Sequence, residues 1–267
     1  MDKLLLGKNA LITGAGSNIG RSIAIEMARQ GANIFFTDID KEGCTGLENE
    51  LNGYRVVSRG FLSDISRTED IDSLHGSLLH DQIKIDILVN NVGIQFNTTT
   101  IRDLNLEEWH KVFGTNVFGP IYLTKLISET MIENHINGSI IFITSIHQWT
   151  IRRLPSYSAS KAALGMVIKE LAVDLAPHNI RVNGIAPGFV KEDRNGKPIS
   201  AKYTPLHNSV INPCYIGRAA VYLSSDYFSK FTTGSVIKID AGLSLYNHHV
   251  DQIRTKTKKS ILKMLFE

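Results

Sequence analysis

Short runs of Val, Ile, Leu and Phe recur along the 267-residue chain, each followed by a turn and then by a stretch whose apolar positions return every three or four residues. The first run, Asn9 to Thr13, gives way to Gly14-Ala15-Gly16-Ser17-Asn18-Ile19-Gly20, after which Ile23, Ala24, Met27 and Ala28 keep a helical period as far as Gly31. A second run, Asn33 to Thr37, ends at Asp38, so a strand, a helix and a second strand close about 30 residues after they began. Further strands are predicted from Arg55 through Ser58 to Leu62, ending near Asp64, and over Ile85 to Val89, Ser139 to Thr144, Ile180 to Ile185 and Ser235 to Ile239. Helical patterns fall between them, as in Glu107 to Thr115 and Ile121 to Glu133. Strands that are almost unbroken Val, Ile and Phe need cover on both faces, which helices on either side of a parallel sheet provide.

The expectation is therefore α/β: a single Rossmann-type, doubly wound domain over residues 1–247, with a seven-stranded parallel sheet and helices on both faces. Two segments break the rhythm. Between Pro187 and Pro213 the chain is polar, carries Gly196, Pro198 and Pro205, and reads as a substrate loop or lid. Residues 248–267 form a basic tail in which Val250, Ile253, Ile261, Met264 and Leu265 stand at roughly helical spacing among Arg254, Lys256, Lys258, Lys259 and Lys263. It is read as a frayed tail, an oligomer contact or a membrane-surface helix.

Composition changes this picture little. With 43% hydrophobic and 21% charged residues and a formal charge of +3, the chain lacks the basic excess of a dedicated nucleic-acid binder. Cys44 and Cys214 form neither a C-x-x-C pair nor part of a ligand cluster, so no disulfide framework and no metal site is expected. The N-terminal apolar run, Leu4-Leu5-Leu6, is too short for a signal peptide, and no stretch reaches the length of a membrane span, so a cytoplasmic protein is expected.

The chemistry starts at the first strand-to-helix turn. In an open parallel sheet ligands bind at the carboxyl ends of the strands, and glycines let the backbone approach a pyrophosphate that the free N–H groups of the helix start then stabilise. That assigns Gly14, Ser17, Asn18, Ile19 and Gly20 to a dinucleotide. Asp38, at the end of the second strand, suits the hydroxyls of an adenosine ribose and would repel a 2′-phosphate, and no Arg or Lys lies between Ala15 and Ile19. NAD is therefore expected in preference to NADP. Tyr157 and Lys161 stand four residues apart in a run of good helix formers, hence on one helix face, where a phenol beside an ammonium makes a candidate acid/base pair.

Taken in order, Thr13-Gly14-Ala15-Gly16-Ser17-Asn18-Ile19-Gly20, Asp64, Asn90-Asn91-Val92-Gly93, Asn116, Ser145, Tyr157-x-x-x-Lys161 and Pro187-Gly188 resemble the short-chain dehydrogenase/reductase family from about Gly7 to Gly242. The resemblance implies Tyr157 as the acid/base that exchanges a proton with the substrate oxygen. It implies Lys161 as the group that lowers the tyrosine pKa and bonds the nicotinamide ribose, and Ser145 as the residue that polarises the substrate oxygen. Asn116 would anchor a water linking Lys161 to solvent. It also implies that Asp64 and Ile65 meet the adenine, that Asn91 and Gly93 let the chain pass the adenosine ribose, and that Pro187 and Val190 lie at the nicotinamide. Asn18 stands where the family has a glycine, and asparagine tolerates a positive φ. Glu192 stands where a threonine commonly meets the carboxamide, and Asp240-Ala241-Gly242 replaces Asp-Gly-Gly in what reads as a minor change.

Specificity is expected from the segment between Ser145 and Tyr157, from Gln95-Phe96-Asn97 and from the 187–213 loop. Ser145-Ile146-His147-Gln148 resembles the Ser-x-His-Glu of glucose dehydrogenases in this family. A pocket with His147, Gln148, Gln95 and Arg152 suits a sugar or polyol, because its polar groups are left unpaired by analogues lacking hydroxyls. The rival substrate is a 3-oxoacyl thioester or another hydrophobic ketone, with Trp149 and Phe96 lining the pocket and Arg152 or Arg153 meeting a phosphate. A non-catalytic dinucleotide sensor is the rival of another class. Family membership further implies a homo-oligomer, a tetramer in the commonest case, with a small-molecule substrate as the other partner.

Overall fold

The computed structural model describes residues 3–97, 100–191, 204–207 and 209–245. Seven strands make one sheet: β1 (Asn9–Thr13), β2 (Asn33–Asp38), β3 (Ser58–Leu62), β4 (Ile87–Asn90), β5 (Ser139–Ile143), β6 (Arg181–Pro187) and β7 (Val236–Ile239). All pairings are parallel, in the order β3-β2-β1-β4-β5-β6-β7. The order reverses between β1 and β4, where Leu11 lies beside both Phe35 and Leu88, and that reversal opens the crevice in which a doubly wound sheet holds its ligand.

Successive strand side chains alternate between the faces, so two cores form. Ile12, Ile34, Phe36 and Val89 pack under α1 (Asn18–Arg29), α2 (Lys41–Leu51) and, once the later elements are in place, the seventh helix. Leu11, Phe35, Leu88, Ile140 and Phe142 pack on the other side. Their cover is α3 (Thr68–His80), α5 (Gly119–Glu133) and α6 (Pro155–Leu175), with α4 (Leu106–Phe113) preceding α5. Two last helices, α7 (Pro213–Ser224) and α8 (Asp226–Ser229), complete the first face; Arg181 at the foot of β6 donates to Leu223 O and Ser229 Oγ and so ties their junction to the sheet.

The expected elements are present with corrected edges. β3 starts at Ser58 rather than Arg55, because α2 runs on into a 3₁₀ turn over Asn52–Tyr54 and Arg55 turns left-handed at φ 43°. β4 starts at Ile87, since Asp86 is held before it, accepting from Asn9 N at 2.9 Å and Lys8 Nζ at 3.1 Å. The helices expected over Glu107–Thr115 and Ile121–Glu133 are one rod: α4 passes through a π turn, Gly114–Phe118, directly into α5. Ala241, expected to be an inconsequential exchange, sits at φ 51°, the left-handed region in which a side chain is disfavoured. The loop after Pro187 returns with Val190 bridged to Ile211, while its part over 192–203, Glu192 included, and the 248–267 tail lie outside the described residues.

Candidate active site

A cavity of about 1160 Å³ runs along the carboxyl ends of the strands. At one end lie Asp38, Asp64 and Ile65; Gly14, Ser17, Asn18, Ile19 and Gly20 form its floor; Ser145, Tyr157, Lys161, Pro187 and Val190 stand at the other. Asn91, Gly93, Gln95 and His147 also line it, whereas Asn116, Gln148 and Arg152 do not.

The glycine turn is held from below. Gly14 adopts φ 64° and Asn18 φ 46°, so asparagine does take the positive φ of the glycine it replaces. Asn91 Nδ2 donates to both Thr13 O and Gly14 O at 2.9 Å, while Thr13 Oγ1 accepts from Asn91 N and Val92 N. Asn91 is thus a clamp between β4 and the turn, beyond the permissive role expected of it. Ser17, which precedes α1, makes no side-chain cap, and the first turn of α1 carries no acid. Its N–H groups and dipole are therefore left for an anion. Asp38 accepts from Gly16 N at 2.8 Å and Asp40 N at 3.0 Å, one bond per carboxylate oxygen, which leaves a lone pair on each for ribose hydroxyls. Asp64 is steadied by Ser66, whose N and Oγ both donate to its Oδ1. Elongated shape, glycine floor, bare helix start and terminal carboxylate together fit a nicotinamide dinucleotide.

At the other end, Lys161 is only 2% exposed. Its Nζ donates to Ile143 O at 2.8 Å and lies 5.6 Å from the centre of the Tyr157 ring. Burial pushes the ammonium down to about 8, which leaves it largely charged at neutral pH. Tyr157 departs from expectation: burial holds its phenol above the usual value, and a hydrogen bond with Ser145 only partly offsets this. The lysine is committed to a backbone carbonyl at the end of β5, so desolvation outweighs its pull on the phenol in this state. A Cβ on Gly93 would come 3.1 Å from Lys161 Nζ, so any side chain there would press on the ammonium.

Asn116 sits in the π turn, wholly buried behind the cavity wall. Its Oδ1 accepts from Ile94 N at 2.8 Å and its Nδ2 donates to Ile94 O and Ser160 Oγ, both at 3.0 Å. Ser160 Oγ donates in turn to Tyr157 O. The expected water anchor is therefore, in its protein contacts, a brace between the loop following β4, at Ile94, and the tyrosine helix. Ser160 was missed by sequence reading, since a serine among helix formers carries no signal of its own.

His147 is the hinge of the substrate end. Its N–H donates to Ser145 Oγ at 3.2 Å, its Nδ1 is 3.1 Å from Ser158 Oγ, and its ring meets Tyr157 edge to face at 5.0 Å and 85°. Burial, with Arg152 nearby, pushes the imidazole down to about 4, so it is neutral at working pH. Gln148 and Trp149 belong elsewhere, contrary to expectation: both line a neighbouring cavity of about 610 Å³, where Gln148 lies over Gly165 of α6 and Trp149 under Lys238. The main cavity takes Ile94, Leu154 and Phe189 as apolar walls instead, and Phe96 is not among them. Arg152 borders that outer cavity and a smaller chamber next to His147.

Residues 14–244 match the family profile described as enoyl-(acyl carrier protein) reductase. The chain belongs to the short-chain dehydrogenase/reductase family. It is 33% identical to the 3-oxoacyl-(acyl-carrier-protein) reductase FabG of Thermotoga maritima, over 90% of this chain and 98% of that one. It is 30% identical to glucose 1-dehydrogenase 2 of Bacillus subtilis, over 92% and 98%. Among solved structures, an NAD+-bound xylitol dehydrogenase superposes with a TM-score of 0.81 at 27% identity, covering 89% of this chain and 99% of that one. Short-chain dehydrogenase/reductases bind a nicotinamide dinucleotide and act on CH–OH groups. Among the described residues, no helix is long and apolar enough to cross a membrane and no group of ligands suited to a metal is found.

Proposed function

We propose that this short-chain dehydrogenase/reductase is an NAD-dependent dehydrogenase of a secondary alcohol in a sugar or polyol. The observation that carries the reading is the pairing of Asp38 at one end of the cavity with Ser145, His147 and Tyr157 at the other. Asp38 gives two free lone pairs to ribose hydroxyls and a like charge to any 2′-phosphate, and among the described residues the cavity lining holds no arginine and no lysine besides Lys111 and Lys161. Gln95 and neutral His147 present hydrogen-bonding groups near the reacting centre, as a hydroxyl-rich ligand requires. The resemblance to a glucose dehydrogenase of Bacillus subtilis and a xylitol dehydrogenase supports the same class.

A dinucleotide held by Gly14, Ser17, Asn18, Ile19, Gly20 and Asp38 would supply the hydride chemistry. Ser145 Oγ holds the substrate oxygen. Tyr157 Oη takes the alcohol proton in oxidation and gives it back in reduction. Lys161, fixed to Ile143 O, offers its remaining N–H donors and its charge to the phenolate once that forms. Asn116 and Ser160 hold the tyrosine helix and the loop after β4 together. The assembly is a cytoplasmic homotetramer in this reading, supported by apolar side chains left exposed on α6 to α8, such as Val173, Tyr215 and Phe228, and checked by sedimentation.

A specific observation favours a second reading, a 3-oxoacyl or other hydrophobic ketone reductase. It is the apolar wall of Ile94, Leu154 and Phe189 together with the FabG likeness. Turnover with NAD across aldoses, polyols and ketoacyl esters separates the two: activity confined to the esters removes the polyol reading. Comparing NAD with NADP at equal concentration tests Asp38, and a preference for NADP refutes its assignment.

A further inference from the structure

The catalytic cavity does not end at His147. Beyond it lies a chamber of about 280 Å³ that shares His147, Gly188 and Phe189 with the catalytic cavity and is bounded on its far side by Arg152, Thr204 and Leu243. Among the described residues its lining carries one permanent charge, the Arg152 guanidinium, because the His147 imidazole is neutral. Among the described residues no carboxylate pairs with Arg152. Nη2 donates to Leu243 O at 3.3 Å, and most of its other N–H donors are left for a ligand.

That one contact is well founded. Leu243 opens a 3₁₀ turn, Leu243–Leu245, set by Asp240, which accepts from Gly242 N at 3.0 Å and Ser244 N at 2.8 Å. Arg152 is an exposed residue, and this bond to a carbonyl fixed by the fold sets its guanidinium beside the chamber. A fork of donors with no acid beside it, at the end of a small chamber, matches a carboxylate or a phosphate monoester.

We propose that this chamber binds an anionic end group of the substrate, a carboxylate or a phosphate, with Arg152 as its counter-ion. The substrate is then an acidic polyol, with its reacting carbinol at Ser145 and Tyr157, an intermediate hydroxyl at His147 and its anion at Arg152. This rests on the polyol reading and narrows it.

The test follows NADH formation with three substrates that differ at one end, glucitol, gluconate and glucitol 1-phosphate, in the native enzyme and in Arg152→Ala. One anion should show a kcat/KM at least about tenfold above that of glucitol, the scale of one charge-assisted hydrogen-bonded pair. In Arg152→Ala that ratio should collapse to about one, with Arg152→Lys between the two. Which anion gains decides between carboxylate and phosphate. A native ratio near one, or a ratio that survives in Arg152→Ala, overturns the proposal. Titration of intrinsic fluorescence with gluconate and with inorganic phosphate, in both proteins, does not depend on turnover. If no polyol is oxidised but an anion binds in an Arg152-dependent way, the polyol reading falls and the anion site stands. If neither anion binds, the site falls.

Discussion

At the scale of single residues the active site is a contest between burial and charge. Lys161 has its ammonium pushed from 10.5 to about 8 by desolvation. The sign follows from proton linkage. Below about pH 8 folded and unfolded chains both hold the proton and the buried charge costs a constant amount; between about 8 and 10.5 only the unfolded chain holds it, so stability rises with pH across that window. The shift corresponds to roughly 3 kcal/mol. Lys161→Met should therefore melt a few degrees higher than the native protein at pH 7, with a gain that shrinks above pH 8 and with activity lost; thermal melts at three pH values check it. Tyr157→Phe should cut turnover by about 10²- to 10⁴-fold while still binding NADH, read from nucleotide fluorescence. Because burial raises the phenol, the neutral form that serves reduction is the resting one. Oxidation should accelerate as pH rises and then flatten as Lys161 releases its proton near 8, whereas reduction should lack the rising limb. Rate profiles in both directions distinguish them.

At the scale of elements, the π turn is the part that makes the site coherent. Extra residues wound into a helix displace the side chains that follow from the ordinary helical register, and such turns recur at functional sites. Here the turn brings Asn116 to Ile94 and Ser160 at once. Asn116→Ala leaves these groups buried with fewer partners, a loss of roughly 3 kcal/mol. It should lower both the melting temperature and kcat, whereas Glu129→Ala, an exposed change further along α5, should alter neither; parallel melts and kinetics on the two variants test this. The turn was not legible in the sequence. The pattern ends one helix at Thr115 and starts another at Ile121, yet the chain runs straight on through the π turn, with Pro120 in the first turn of α5. Gly119 exists because Ile65 O passes 1.8 Å from where its Cβ would be. Local pattern cannot show an approach from a segment 54 positions earlier in the chain. The strands were legible for the opposite reason: burial on both faces writes itself into nearly every residue of β1, β4 and β5. The residues that share the main cavity were legible through their order, while Gln148 and Trp149, expected in that pocket, line the neighbouring one because a loop's side-chain directions depend on its 3₁₀ turn over Ile146–Gln148.

At the scale of the molecule, the strand order has a consequence for how the protein is made. β1 is the first strand in the chain yet sits between β2 and β4, and β4 starts only at Ile87. While the chain is being synthesised, β1, β2 and β3 can pair, but the far edge of β1 keeps its peptide groups unpaired and its apolar faces uncovered until the second third of the polypeptide has left the ribosome. A fragment comprising residues 1–85 should accordingly be insoluble or chaperone-bound when expressed alone. Extension through β5 to residue 145 should recover part of the soluble yield, and the two yields measured side by side decide the matter. The same crevice that holds the dinucleotide in the finished enzyme is thus, for the nascent chain, its most exposed seam.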